Sequence, residues 1–168
     1  RATNCAVCPD MVLVMMAGEQ RRSRANEEML RRRGAIEPGG DVYRALAWVY
    51  PMMFVAMAIE GAVAGPAPGV TTVAGALVLL AAKALKFWAI STLGPRWTFR
   101  VLVPPGLPLV SRGPYAWLRH PNYVAVFGEI GGMAMLVGAP MAGALSLIAF
   151  GMLVRKRIAV EEKALGGR

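Results

Sequence analysis

The sequence predicts an all-α fold: a polytopic integral membrane helical bundle with about five transmembrane segments, ending in a C-terminal helical hairpin. Three observations carry this prediction. The chain is 56% hydrophobic and only 17% charged, more apolar and less charged than a soluble domain of this size. Its apolar residues are gathered into runs long enough to cross a bilayer. Its basic residues, which produce a net charge of +9, stand in blocks beside those runs ("RRSR", "RRR", "RKR"), as they do on the cytoplasmic flanks of membrane helices. Anionic membrane lipids are sufficient partners for such blocks, so nucleic acid is not expected.

Residues 1–46 form an N-terminal part, a partial span followed by a basic cytoplasmic helix. The opening "RATNCAVCPD" lacks the basic-then-apolar order of a signal peptide. Cys5 and Cys8 make a lone CxxC, and the one histidine, His120, is far away in the sequence. Zinc needs about four ligands, so unpaired thiols are expected and no metal site. The apolar "MVLVMMAG" is short for a full span, which leaves a partial one near residues 5–17. The segment "GEQRRSRANEEMLRRRGAIEPGG" reads as a solvated helix at the membrane surface, ended by Gly34. Glu27 and Glu28 lie four residues before Arg31 and Arg32, a spacing that supports a helix.

Residues 47–168 are expected to form a single core unit. Two spans are read at 47–65 and 70–93, the second carrying Lys83 and Lys86 towards its end. The uncharged "GPAPG" between them has strong turn chemistry. Residues 123–154 are almost uninterruptedly apolar, with "GAP" at 138–140 near the middle. As one helix this stretch would run about 48 Å, against a bilayer core of about 30 Å. Split at "GAP" it gives a hairpin with two arms of about 22 Å, short spans that a thinner bilayer accommodates.

Charge sets the expected topology. Arg21, Arg22, Arg24, Arg31, Arg32, Arg33 and Arg44 lie in 18–46, and Arg96, Arg100, Arg112 and Arg119 in 94–122. Arg155, Lys156, Arg157, Lys163 and Arg168 lie in the tail, while "GPAPG" and "GAP" carry no charge. Only the hairpin puts all three basic segments on the cytoplasmic side. Within the apolar runs Glu60 and Glu129 stand out, since charge there is costly unless paired or hydrated. Glu129 is read either as lining a tunnel or as a protonated side chain bonded to a neighbouring helix.

This topology brings two polar clusters to one side. The first is "RGPYAWLRHPNY", 112–123. Pro121 suits the first turn of a helix, with His120 at the cap and Arg119 just outside. The free N–H groups of such a start, beside an arginine, favour an anion. The second is "RKRIAVEEKAL", in which Arg157 and Glu161 are four residues apart and share a face while Glu162 points about 100° away. Together they offer anion- and cation-binding groups for a zwitterionic amino acid moiety. Tyr115, Trp117 and Tyr123 add an aromatic wall suited to an adenine or a sulfonium. The residues by themselves reach no further than a zwitterionic or amphiphilic ligand at the membrane surface.

The arrangement "LGPRWTFRV…GLPLVSRGPYAWLRHPNY", an apolar hairpin and then "RIAVEEKAL" resembles the isoprenylcysteine carboxyl methyltransferase family over roughly residues 75–165. The basic helix, "GAIEPGG" and the following span resemble a bacterial branch associated with O-methylation of alkylpyrones and related phenolic lipids. The resemblance implies a membrane methyltransferase with S-adenosylmethionine as cofactor and a lipid-like methyl acceptor, bearing a carboxylate or a phenol or enol hydroxyl. By position, the cofactor would be contacted by Leu107, Leu109, Val110, Tyr115, His120, Pro121, Asn122 and Tyr123. Glu161, with Glu162, would meet the amino group of its methionine part. Arg157 would face the acceptor, Arg119 would support the site, and His120 would be a wall rather than a base.

Members often carry histidine where this chain has Leu107, and relatives usually continue beyond the six residues that follow Glu162. A phospholipid N-methyltransferase, a reductase of similar membrane fold and a non-enzymatic small membrane subunit are the competing readings. The oligomeric state is not legible.

Overall fold

The computed structural model describes residues 7–65, 67–106 and 108–166. Within them the protein is all-helical, with one isolated antiparallel bridge between Ile36 and Val103. Five α-helices follow in order: α1 (Val7–Arg32), α2 (Tyr43–Ala64), α3 (Gly69–Leu93), α4 (Pro121–Val137) and α5 (Pro140–Gly166). Two short 3₁₀ turns, Gly94–Arg96 and Gly113–Ala116, punctuate the long connection between α3 and α4.

Helices stand where the sequence placed its segments, with one correction. The partial span near 5–17 and the basic segment after it form one continuous helix, α1. Nothing between them breaks a helix; the single Gly18 costs only about 1 kcal/mol. Nor is α1 simply solvated. Arg21, Arg22 and Arg24 are exposed, but Ser23 and Leu30 are completely buried and dock the helix onto the 94–103 connection. There Ser23 Oγ accepts from Phe99 N–H at 2.7 Å, and Asn26 Nδ2 donates to the Trp97 carbonyl at 2.7 Å. Arg32 pairs with Glu28 as the spacing predicted, whereas Arg31 turns to Glu37 and Glu27 faces Arg100.

Among the described residues, α2 and α3 (extended to Arg96) are long and apolar enough to cross a membrane. Trp48, Val63, Val70, Phe87, Met141 and Leu145 point outward on α2, α3 and α5. So wide an apolar exterior marks a surface that water does not cover. At about 26 Å, α4 is shorter than a full bilayer core.

Small residues let α3 and α4 touch backbone to backbone. A Cβ on Gly132 would lie 2.7 Å from Leu79 N, and one on Gly75 would lie 2.5 Å from Leu136 N. This is the small-residue seam by which membrane helices pack closely. Gly132→Val therefore requires the two backbones to separate. We expect a loss of about 1–3 kcal/mol in thermal unfolding of the detergent-solubilised protein, and an unchanged melting temperature would refute the seam.

The hairpin forms as predicted. Gly138, in the left-handed conformation at φ +72°, ends α4, and Pro140 opens α5. Glu60, an anomaly in the sequence, caps α5 from α2: its two oxygens accept the N–H groups of Met141 and Ala142 at 3.0 and 2.5 Å. Those first-turn donors have no partner within their own helix. The two uncharged turns lie together, since a Cβ on Gly138 would meet Ala67 at 3.1 Å. All three basic segments gather at the other end, where Arg100 meets Glu27 and Glu37, and Arg157 meets Asp41.

Glu37 ties this end together. Burial raises its pKa, but hydrogen bonds and charge from Arg100 and Arg31 outweigh that and hold the carboxyl below its ordinary value. The ordinary value is about 4.3, so the stabilisation is complete above it and disappears as pH falls through the lower folded value. A melting temperature that drops on acidification below about pH 4.3, with a shallower drop in Glu37→Gln, is the expected result. Parallel curves would contradict it.

Glu129 is bonded to neighbouring helices, as one of the two sequence readings has it, but through ion pairs. It is fully buried and ion-paired, to Lys83 at 2.8 Å and Lys86 at 3.3 Å, and it accepts from the Tyr50 hydroxyl. Lys86 also meets Glu19 at 2.8 Å. One charged cluster thus joins α1, α2, α3 and α4.

Candidate functional site

His120 is the N-cap of α4, with non-helical φ −132° and ψ 63°, and Pro121 occupies the first helical turn. Proline is pre-shaped for that position and has no N–H to leave unpaired. This entry sets Tyr123 on the first turn, facing α5. The Tyr123 hydroxyl donates to Glu161 Oε2 at 2.9 Å and accepts from Arg157 Nε at 2.8 Å. His120 stacks on the Tyr123 ring, with centroids 5.4 Å apart and planes 24° apart. Its Nδ1 lies 3.6 Å from Glu161 Oε2. Residues 34 to 41 positions apart in sequence are thereby brought into one cluster by the hairpin.

Arg157 is buried, at 6% exposure. Beyond Tyr123, it donates through Nη2 to the Phe99 carbonyl, and its Nη1 stands 3.5 Å from Asp41 Oδ1. Asp41 is itself held by the N–H groups of Tyr43 and Val101 at 3.1 and 3.0 Å. Neither Asp41 nor Phe99 emerged from the sequence. Asp41 precedes α2 and accepts from the N–H two residues on, a local turn signature for aspartate. Its second role, on Arg157, has no sequence signal.

Tyr115 sits in the second 3₁₀ turn, partly buried. Burial first, and then the Glu161 carboxylate, push its phenol far above the ordinary range, so it stays protonated at neutral pH. Two buried polar atoms in the cluster have no hydrogen-bond partner: His120 Nε2 and Asn122 Oδ1. Buried polar atoms are nearly always satisfied, so this orphaned pair at a helix start beside a carboxylate is open to a ligand's polar groups.

Other expected residues lie elsewhere. Arg119 is 83% exposed and pairs with half-exposed Glu162 at 3.3 Å, a surface contact worth about 0–1 kcal/mol. Trp117 is exposed and meets Trp88 edge to face at 6.4 Å. Leu109 and Val110 line a separate cleft of about 530 Å³, whose walls include none of His120, Asn122, Tyr123 or Glu161. Leu107 lies outside the described residues, as does Cys5.

Residues 74–166 match the isoprenylcysteine carboxyl methyltransferase (ICMT) family. The matched stretch begins in α3 and ends with α5, and so holds the whole cluster except Asp41. The chain is 33% identical over 155 residues to the uncharacterized protein YpbQ of Bacillus subtilis, covering 92% of each chain. It is 25% identical over 141 residues to an uncharacterized protein of Haemophilus influenzae, covering 83% of this chain and 82% of that one. No solved structure matches.

Proposed function

The chain belongs to the isoprenylcysteine carboxyl methyltransferase family, and from that premise we propose that it is an integral membrane methyltransferase using S-adenosylmethionine to methylate an oxygen of a hydrophobic, lipid-like acceptor. The observation that carries this reading is the cluster of His120, Asn122, Tyr123 and Glu161, with its two orphaned buried atoms.

These residues fit the cofactor. The Glu161 carboxylate offers the charge that a methionine amino group needs. Asn122 Oδ1 and His120 Nε2 offer polar atoms for the adenosine part. The rings of Tyr115 and Tyr123 provide the aromatic faces that attract a sulfonium. The cofactor supplies an electrophilic methyl group on a cationic sulfur, and the protein's task is to hold the acceptor oxygen in line with it. Alignment alone accounts for a large share of such barriers.

Arg157 is the residue for that task. Its guanidinium carries five N–H donors in a fixed fork; with Tyr123, Phe99 and Asp41 fixing the plane, the remaining donors orient an anionic acceptor oxygen. A carboxylate acceptor arrives already deprotonated and needs no base. Arg119 and Glu162 frame the outer rim.

The membrane arrangement belongs to the same proposal: about five spans, α1 contributing a partial one, with the basic end and the active site in the cytoplasm of a bacterial inner membrane. The gathering of the three basic segments opposite the two uncharged turns supports it through the positive-inside rule. The test is calorimetric titration of S-adenosylhomocysteine into the protein reconstituted in lipid nanodiscs. Saturable binding of one molecule per chain is expected, and no binding overturns the proposal.

A further inference from the structure

At the basic end Arg31, Arg32, Arg100, Arg119 and Arg157 each have a carboxylate partner. Three others border one cleft, which also takes in Leu109 and Val110. Arg33, Arg96 and Arg112 line it, and no acidic residue does. Among the described residues the Arg33 and Arg112 side chains make no hydrogen bond or ion pair, and Arg96 spends one N–H on the Pro108 carbonyl at 2.7 Å. The floor is Leu30, 1% exposed, and the apolar rim includes Leu109, 71% exposed. A cleft of about 530 Å³ is of ligand-binding size. Three cations without counter-charge over an apolar floor ask for an anion with an apolar continuation.

A second observation gives the level of this cleft in the membrane. Trp88 and Trp117 form an exposed edge-to-face pair beside it. Gly113 connects the two features: a Cβ there would lie 2.7 Å from Thr92 Oγ1 and 3.3 Å from Trp88 Nε1, and Thr92 lines the cleft. Exposed tryptophans on membrane proteins sit at the headgroup layer, where lipid phosphates lie.

We propose that this cleft binds the phosphodiester headgroup of an anionic membrane phospholipid, with Arg33, Arg96 and Arg112 around the phosphate and Leu109 against the first carbons of the chains. The site is separate from the cluster of His120 and Glu161, and the proposal stands or falls without reference to methyl transfer. A soluble phosphate would meet the same guanidinium groups, but it would have no use for the apolar rim.

The test uses the full chain in nanodiscs containing phosphatidylglycerol or phosphatidylcholine with a photoreactive group near the headgroup end of one acyl chain. Cross-linked peptides are mapped by mass spectrometry. Phosphatidylglycerol should label peptides from 30–33 and 92–112, and phosphatidylcholine should not. The double variant Arg33→Gln, Arg112→Gln spares the bonded Arg96 and should lower labelling roughly thirtyfold, at about the attraction expected per arginine. Arg33→Lys, Arg112→Lys should retain most of it. Equal labelling by both lipids, or labelling that survives the glutamine variant, overturns the site. Displacement of the label by millimolar inorganic phosphate overturns the lipid assignment in favour of a soluble phosphate.

Discussion

Glu129→Leu is expected to lower stability by about 3–5 kcal/mol, the scale of breaking a buried ion pair from one side. The substitution leaves Lys83 and Lys86 facing each other in the interior with no carboxylate between them. Lys86 retains Glu19, while Lys83 retains no acidic partner among the described residues. The Tyr50 hydroxyl loses its acceptor as well. The loss comes from stranded charge rather than lost packing, so it should be reversible. Adding Lys83→Met to Glu129→Leu should recover part of the stability, since it removes the lysine left without a carboxylate while Lys86 keeps Glu19. Thermal unfolding of the three proteins in detergent reads both effects. A single variant within 1 kcal/mol of the parent would refute the account of this cluster.

Glu161→Gln is expected to weaken S-adenosylhomocysteine binding by about ten- to a hundredfold, the worth of one charge-assisted hydrogen bond. Two effects combine. The charge that would meet the amino group is removed, and the Tyr123 hydroxyl loses a charged acceptor, loosening the link from α4 to Arg157 on α5. Tyr123→Phe separates the two. It keeps the ring on which His120 stacks and deletes only the bridging hydroxyl, so it should weaken binding less than Glu161→Gln does. If the two variants bind as tightly as the parent in calorimetric titration, Glu161 does not hold the cofactor.

Much of this was legible in the sequence because the signals are local. The turn at 138–140 follows from chain length against bilayer thickness and from glycine and proline placed where a helix must stop and restart. The helix start at His120–Pro121 follows from proline's geometry. Once the hairpin is accepted, "RHPNY" and "RxxxEE" must share an end, and Tyr123 and Glu161 do meet there. What the sequence hid is non-local. Asp41 lies 116 positions before Arg157, and no periodicity links them. Lys83, Lys86 and Glu129 stood out as costly charges, but their pairing depends on α3 and α4 touching at Gly75 and Gly132, a register visible only in three dimensions. Glu60 looked like an intramembrane anomaly because the helix whose first N–H groups it caps begins 80 residues later. Leu109 and Val110 fall within a motif resemblance, yet they line the arginine cleft instead of the tyrosine cluster.

The central claim is methyl transfer to a lipid oxygen, and methyl labelling tests it most directly. Membranes from cells with and without the protein are incubated with S-adenosylmethionine labelled in its methyl group, and the organic-solvent extract is counted and fractionated. Protein-dependent label in a lipid fraction, carried as an O-methyl group and lost in Glu161→Gln, is the predicted result. Protein-dependent label on nitrogen would move the acceptor to a different chemistry, and no protein-dependent label in any lipid fraction would contradict the account.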